Sequence, residues 1–207
     1  GWSVVGRHIT RPFYDWDGTR GAPEVSSEWK LHGNYSMKVA SQGEAVSAWK
    51  SISLNPFYVA VFGFLLASGD FSSTRSNIIF NRLASAIENV GGFAIKRVGD
   101  TDYFFFVWRT SEGEFEENTG IAVNRNQVYQ LQVGIKLCTV IFDWNTGRYI
   151  PQPDGYARGW INGVLVADKT NIINRIYDWD TLEGPEVGIN YPGGGSTNVI
   201  AFFDDVV

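Results

Sequence analysis

The chain has 207 residues, 44% hydrophobic and 19% charged, which is enough for one well-buried core, and no apolar run approaches the roughly 20 residues that span a bilayer; disorder and membrane insertion are not expected. With 17 Lys and Arg against 22 Asp and Glu, the net charge of -5 lacks the basic excess that phosphate backbones require, so nucleic acid is not an expected partner. One Cys (Cys138) and two distant His (His8 and His32) supply neither an internal disulfide nor a structural zinc set.

Residues 4–14 read as a strand ending in a turn at Asp15-Trp16-Asp17-Gly18, followed by a polar loop to residue 28. Residues 35–40 alternate, with Tyr35, Met37 and Val39 on one face, as a half-buried strand does. Residues 45–52 follow as a strand. Residues 57–67 are apolar on both faces and suit a central strand covered on both sides. The stretch 78–90 fits helical spacing at Ile79, Leu83, Ile87 and Val90, yet its β-rich start and its neighbours favour a strand followed by a loop.

Residues 92–98 and 103–109 flank Gly99-Asp-Thr-Asp and read as a hairpin, and 128–142 as one long β-rich run that holds Cys138 as a small core residue. Asn162-Gly163 between apolar runs predicts a two-residue type I′ hairpin. The last strand is 199–207. About ten to twelve strands with hairpin-length connections and no alternating helices predict an all-β fold: a two-sheet antiparallel sandwich, one domain over residues 1–207. The 23 Gly, many beside Asn, Asp or Ser, supply its turns.

Three segments resemble the concanavalin A-like, laminin G-like jelly-roll group of lectins, carbohydrate-binding modules and some glycanases. They are Gly33-Asn-Tyr-Ser-Met-Lys-Val, Ala157-Arg-Gly-Trp-Ile-Asn-Gly-Val-Leu-Val and Phe202-Phe-Asp-Asp-Val-Val. The resemblance implies a jelly roll over nearly the whole chain, but not a single function. It also implies a structural calcium between the end of the first strand and the final Asp pair, reaching Asp15 or Asp17 and Asp204 or Asp205. The Asp15/Asp17 and Asp178/Asp180 pairs do not continue into a twelve-residue loop, so an EF-hand is excluded.

Aromatic residues make up 15% of the chain, and three clusters share an aromatic-Asp-Trp-Asp/Asn pattern: Tyr14-Asp-Trp-Asp-Gly, Phe142-Asp-Trp-Asn-Thr-Gly and Tyr177-Asp-Trp-Asp-Thr. An indole face stacks on the C–H face of a sugar while a neighbouring carboxylate or amide bonds its hydroxyls, a combination suited to neutral polysaccharide. The same residues also serve as turns in which the Asp caps its own loop. Trp16, Trp144 and Trp179 are the candidate platforms, and Asp143, Asn145, Asp178 and Asp180 the hydroxyl partners. In Tyr103-Phe-Phe-Phe-Val-Trp-Arg, Tyr103, Phe105 and Val107 share one face, and Phe104, Phe106 and Trp108 the other. Trp108 with Arg109 is a further platform if that face is open, and core if it is covered.

Glu112, Glu114 and Glu116 alternate and distantly resemble the catalytic strand of jelly-roll glucanases, with Glu114 where that strand carries Asp. Turn formers on both sides favour a solvated loop there. A polysaccharide lyase combines a Tyr or His base with an Arg or Gln that neutralises a uronate, and no such strand motif surrounds His8 or His32. The expected protein is a noncatalytic, extracellular or cell-surface carbohydrate-binding module, part of a larger multidomain protein. A glycoside hydrolase and a structural or adhesion domain are the alternatives.

Overall fold

The computed structural model describes residues 17–49, 59–83, 88–125, 127–175, 177, 181–190 and 197–204, and every regular element among them is a strand. In chain order these are β1 (Gly18–Arg20), β2 (Glu24–Ser26), β3 (Ser36–Ser41), β4 (Val46–Trp49), β5 (Val59–Asp70), β6 (Ser76–Leu83), β7 (Glu88–Val98) and β8 (Thr101–Thr110). They continue as β9 (Gly113–Ala122), β10 (Tyr129–Lys136), β11 (Val140–Asp143), β12 (Arg148–Pro151), β13 (Gly155–Ile161), β14 (Val164–Ile172), β15 (Leu182–Asn190) and β16 (Thr197–Asp204). Two seven-stranded sheets, ordered β1-β4-β15-β6-β7-β8-β9 and β14-β13-β10-β5-β16-β3-β2, form a jelly-roll sandwich, and β11-β12 is a separate two-stranded ribbon.

Period-two alternation builds the core between the sheets. The first sheet contributes Phe93, Ile95, Phe104 and Phe106, and the second Leu65, Leu131, Val133, Ile135 and Ala157, all buried in one cluster. Phe93 meets Phe106 edge-on at 5.4 Å and Phe104 meets Tyr129 at 4.9 Å, pairs that contribute about 0.5–1.5 kcal/mol each beyond their buried area. The Tyr129 hydroxyl donates to the Ala122 carbonyl and accepts from the Asn124 amide, both at 2.8 Å, so its burial leaves no polar atom stranded. Gly159 lets the sheets close: a Cβ there would lie 2.6 Å from Phe106 Cδ2 and 2.7 Å from Phe93 Cζ.

Most expected strands are present. β5 runs at the centre of its sheet, β7 and β8 form the expected hairpin, and the 78–90 stretch is strand on both sides of 84–87, which lie outside the described residues. Asn162 and Gly163 sit at φ 51° and 78°, as a type I′ turn requires. The 4–14 strand and residues 205–207 of the last strand lie outside the described residues.

Three expectations need correction. The polar loop before residue 28 holds β1 and β2, short edge strands pairing with β4 and β3. The 128–142 run is broken at 137–139, where side chains from later in the chain take backbone groups: Asn174 Oδ1 accepts from the Cys138 amide and Asp154 Oδ1 from the Thr139 amide. From Gly113 on, the acidic stretch is no solvated loop but the edge strand β9, with Glu114 and Glu116 on one face of the sheet and Glu117 on the other.

Candidate functional site

The ribbon β11-β12 interrupts the path from β10 to β13, so it projects from the end of that strand pair. Its base is fastened by side chains. Lys136 Nζ lies 2.9 Å from Asp154 Oδ2, the Thr139 hydroxyl donates to the same oxygen at 3.1 Å, and the Gln152 amide donates to the Thr139 carbonyl at 2.8 Å. Burial pushes the Asp154 carboxyl up, but the Thr139 amide and the Lys136 ammonium outweigh it and hold the group below the usual carboxylate range. Asn174, buried, donates to the Lys136 carbonyl while accepting from Cys138.

The ribbon's register pairs Phe142 with Tyr149 and Asp143 with Arg148. Its tip is closed by the Gly147 amide donating to the Asp143 carbonyl at 2.8 Å, with Gly147 at φ 65°. Asp143 caps that turn: its Oδ2 accepts from the Thr146 hydroxyl at 2.7 Å and its Oδ1 from the Asn145 amide at 2.9 Å. These bonds, Thr146 first, hold its carboxyl below the ordinary Asp value. The expected hydroxyl partner is thus a turn former. The adjacent Trp144 is 87% exposed, and its ring meets Phe142 edge-on at 4.7 Å; Phe142 in turn packs on Tyr149 at 5.0 Å, itself 57% exposed. Ile141 and Ile150 add exposed apolar surface on the ribbon's other face.

Trp144 and its neighbour Asn145, two of the expected ligand contacts, are both exposed on this turn. Tyr149 was not among the expected site residues, although its alternation across the turn from Phe142 was a usable signal. Trp108 lies elsewhere, on β8. It faces the inter-sheet edge, stacked between Phe106 at 6.5 Å and Phe115 at 5.8 Å, with Lys169 Nζ 4.4 Å above its ring. Lys169 also pairs with Glu117 at 2.6 Å, so this indole is an edge seal rather than an open platform. Arg109 donates its Nε to the Asn89 carbonyl at 3.2 Å.

Glu114 and Glu116 do share the outer face of the first sheet, but Glu112 sits in the preceding turn. Arg75 bonds Glu114 and lies 3.6 Å from Glu116, while Lys96 Nζ lies 2.5 Å from Glu116. Of the expected metal ligands, Asp17 is exposed and Asp204 is buried, with Asp204 Oδ2 accepting the Leu31 and His32 amides at 2.7 and 3.0 Å. Among the described residues no three His, Cys, Asp or Glu side chains converge as a metal site. Asp15, Trp16, Asp178, Trp179, Asp180 and Asp205 lie outside the described residues.

No protein-family model and no curated protein matches the chain. Among solved structures, an endo-beta-1,4-glucuronan lyase from the fungus Trichoderma reesei is similar at TM-score 0.65 and 15% identity, over 93% of this chain and 90% of that one. An alginate lyase from Chlorella virus is similar at TM-score 0.64 and 13% identity, over 93% and 91% of the two chains. Domain 4 of an extracellular arabinanase from Geobacillus stearothermophilus, in complex with arabinotriose, is similar at TM-score 0.51 and 12% identity, over 91% and 77%. At these identities the likeness is one of fold.

Proposed function

We propose that this sandwich binds polysaccharide without cleaving it, and that the tip of the β11-β12 ribbon makes the contact. The observation that carries the reading is the indole of Trp144, 87% exposed on a turn already closed by Asp143. An aromatic ring left in water on a preorganised turn gains by covering its face: about 100 Å² removed from water is worth about 2–3 kcal/mol, and little conformational entropy is left to lose. A pyranose offers a C–H face of matching shape, and Tyr149 and Asn145 extend the contact. The arabinotriose complex and the uronan lyases among the similar folds support a carbohydrate ligand. Such a ligand also suits an extracellular or cell-surface setting.

Cleavage of a glycosidic bond by a glycosidase needs two carboxyls set across the scissile bond. Glu114 and Glu116 instead sit two residues apart on one strand and share Arg75, an arrangement that serves the sheet. Affinity electrophoresis through gels carrying different polysaccharides tests the proposal, followed by assays for new reducing ends and for the ultraviolet absorbance of an unsaturated uronate. Retardation without either product is expected; either product would overturn the noncatalytic reading.

A further inference from the structure

The outer face of the second sheet carries a further set of polar and aromatic side chains. Along β13, Tyr156, Arg158 and Trp160 alternate with buried Gly155, Ala157, Gly159 and Ile161, so all three project outward. On the adjacent β10, Gln130 and Gln132 alternate with buried Tyr129, Leu131 and Val133 and share that face. The register sets Gln132 opposite Trp160 and Lys136 opposite Tyr156. On the other side, β14 brings the exposed Leu165 opposite Trp160.

The charges of this strip are matched in place. Arg158 Nε lies 2.7 Å from Asp168 Oδ1, and its guanidinium sits 4.7 Å over the Tyr156 ring; Lys136 is held by Asp154. What remains for a ligand is neutral: among the described residues the Gln130 and Gln132 carboxamides, both half-buried, have no hydrogen-bond partner. A carboxamide beside an indole offers both a donor and an acceptor to sugar hydroxyls next to a stacking surface. Among the described residues of this strip, a uronate would find no cation free of its own carboxylate. The strip is also long: Tyr156 and Trp160 are four residues apart on one strand, about 13 Å at roughly 3.3 Å per residue. Its Tyr156 end leads directly into the base of the ribbon, because β13 begins where the ribbon ends.

We propose that Tyr156, Trp160, Gln130 and Gln132 form a second contact surface, continuous with the ribbon, and that the ligand is an uncharged polysaccharide lying extended along β13. This rests on the binding reading given for the ribbon and adds to it the chemical class of the ligand and where the chain runs. The test is a glycan array carrying neutral glucan, xylan and mannan oligosaccharides beside alginate and polyglucuronate oligosaccharides, followed by calorimetry on the best-bound hexasaccharide. The full chain is compared with Trp160→Phe, with the double variant Gln130→Ala/Gln132→Ala and with Trp144→Ala.

Neutral oligosaccharides are expected to bind, with at least a tenfold loss of affinity in the Trp160 and Gln variants at unchanged melting temperature. Wild-type affinity in both of these variants, together with loss in Trp144→Ala, would overturn the strip and leave the ribbon standing. Preference for the uronate oligosaccharides would overturn the neutral class. No binding to any oligosaccharide would overturn the ribbon reading and the strip with it.

Discussion

Asp154 Oδ1 accepts the backbone amide of Thr139 at 2.6 Å, joining the segment that leaves β10 to the segment that enters β13. With the Lys136 ammonium and the Thr139 hydroxyl on its other oxygen, this carboxylate fastens the base of the ribbon from both sides. Replacing it with Ala leaves the partly buried Thr139 amide without its acceptor and the Lys136 ammonium with only the backbone carbonyl of residue 154, a loss of about 1–3 kcal/mol. Asp154→Ala is expected to weaken polysaccharide binding severalfold while the sandwich still unfolds cooperatively. Unchanged affinity in calorimetry would show that the ribbon does not need this anchor.

Acid should loosen the ribbon for the same reason. The Asp154 and Asp143 carboxyls both titrate below their ordinary value in the folded chain, so on acidification the unfolded chain takes up these protons first. Their contribution is complete above the unfolded value near 3.9 and is lost as pH falls through the lower folded values. Melting temperature followed from pH 6 down to 2 should therefore drop below about pH 4, and less steeply in Asp154→Asn. An identical acid slope in the variant would contradict this role.

Gly159 tests the packing between the sheets. Its missing side chain is the space that Phe93 and Phe106 occupy, and Gly159→Ala forces those rings off their positions. Overpacking of this kind costs about 1–3 kcal/mol, a fall of roughly 2–12 °C in melting temperature for a domain of this size. A melting temperature equal to that of the parent would mean that the sheets yield more readily than the contact implies.

Asp204 joins the last strand to the loop before β3 through the Leu31 and His32 amides. Calcium at this end of the sandwich is a proposal that rests on the jelly-roll resemblance, and Asp204 is the described residue best placed to test it. Differential scanning calorimetry in EDTA and in calcium chloride separates the two roles. Calcium binding requires a wild-type melting temperature that rises with the ion and an Asp204→Ala variant that no longer responds. A wild-type temperature that is the same in both buffers would remove calcium and leave the amide anchor as the role of Asp204.

The alternation in Tyr103-Phe-Phe-Phe-Val-Trp-Arg was legible in the sequence: Phe104 and Phe106 enter the main core while Phe105 and Val107 pack on the opposite face. So was the Asn162-Gly163 turn, because φ above zero is a local property of those residues. Strand β9 was not legible. Four glutamates between turn formers read as solvated, and the cations that let two of them lie against a sheet, Arg75 and Lys96, come from 39 and 20 residues away. The break after Lys136 likewise depends on Asp154 and Asn174, which the run itself does not contain. Trp108 lies within β8 and Trp144 just after β11, and their different exposures are decided by what covers them: Phe115 and Lys169 for the first, little beyond the edge of Phe142 for the second.

The most direct test of the account is the affinity of Trp144→Ala for a polysaccharide that retards the wild-type chain in affinity electrophoresis. An indole already exposed contributes little to folding, so the melting temperature should stay within about 1 °C of the parent while retardation falls at least tenfold. Retardation equal to that of the wild type, with the fold intact, would contradict the ribbon as the binding site.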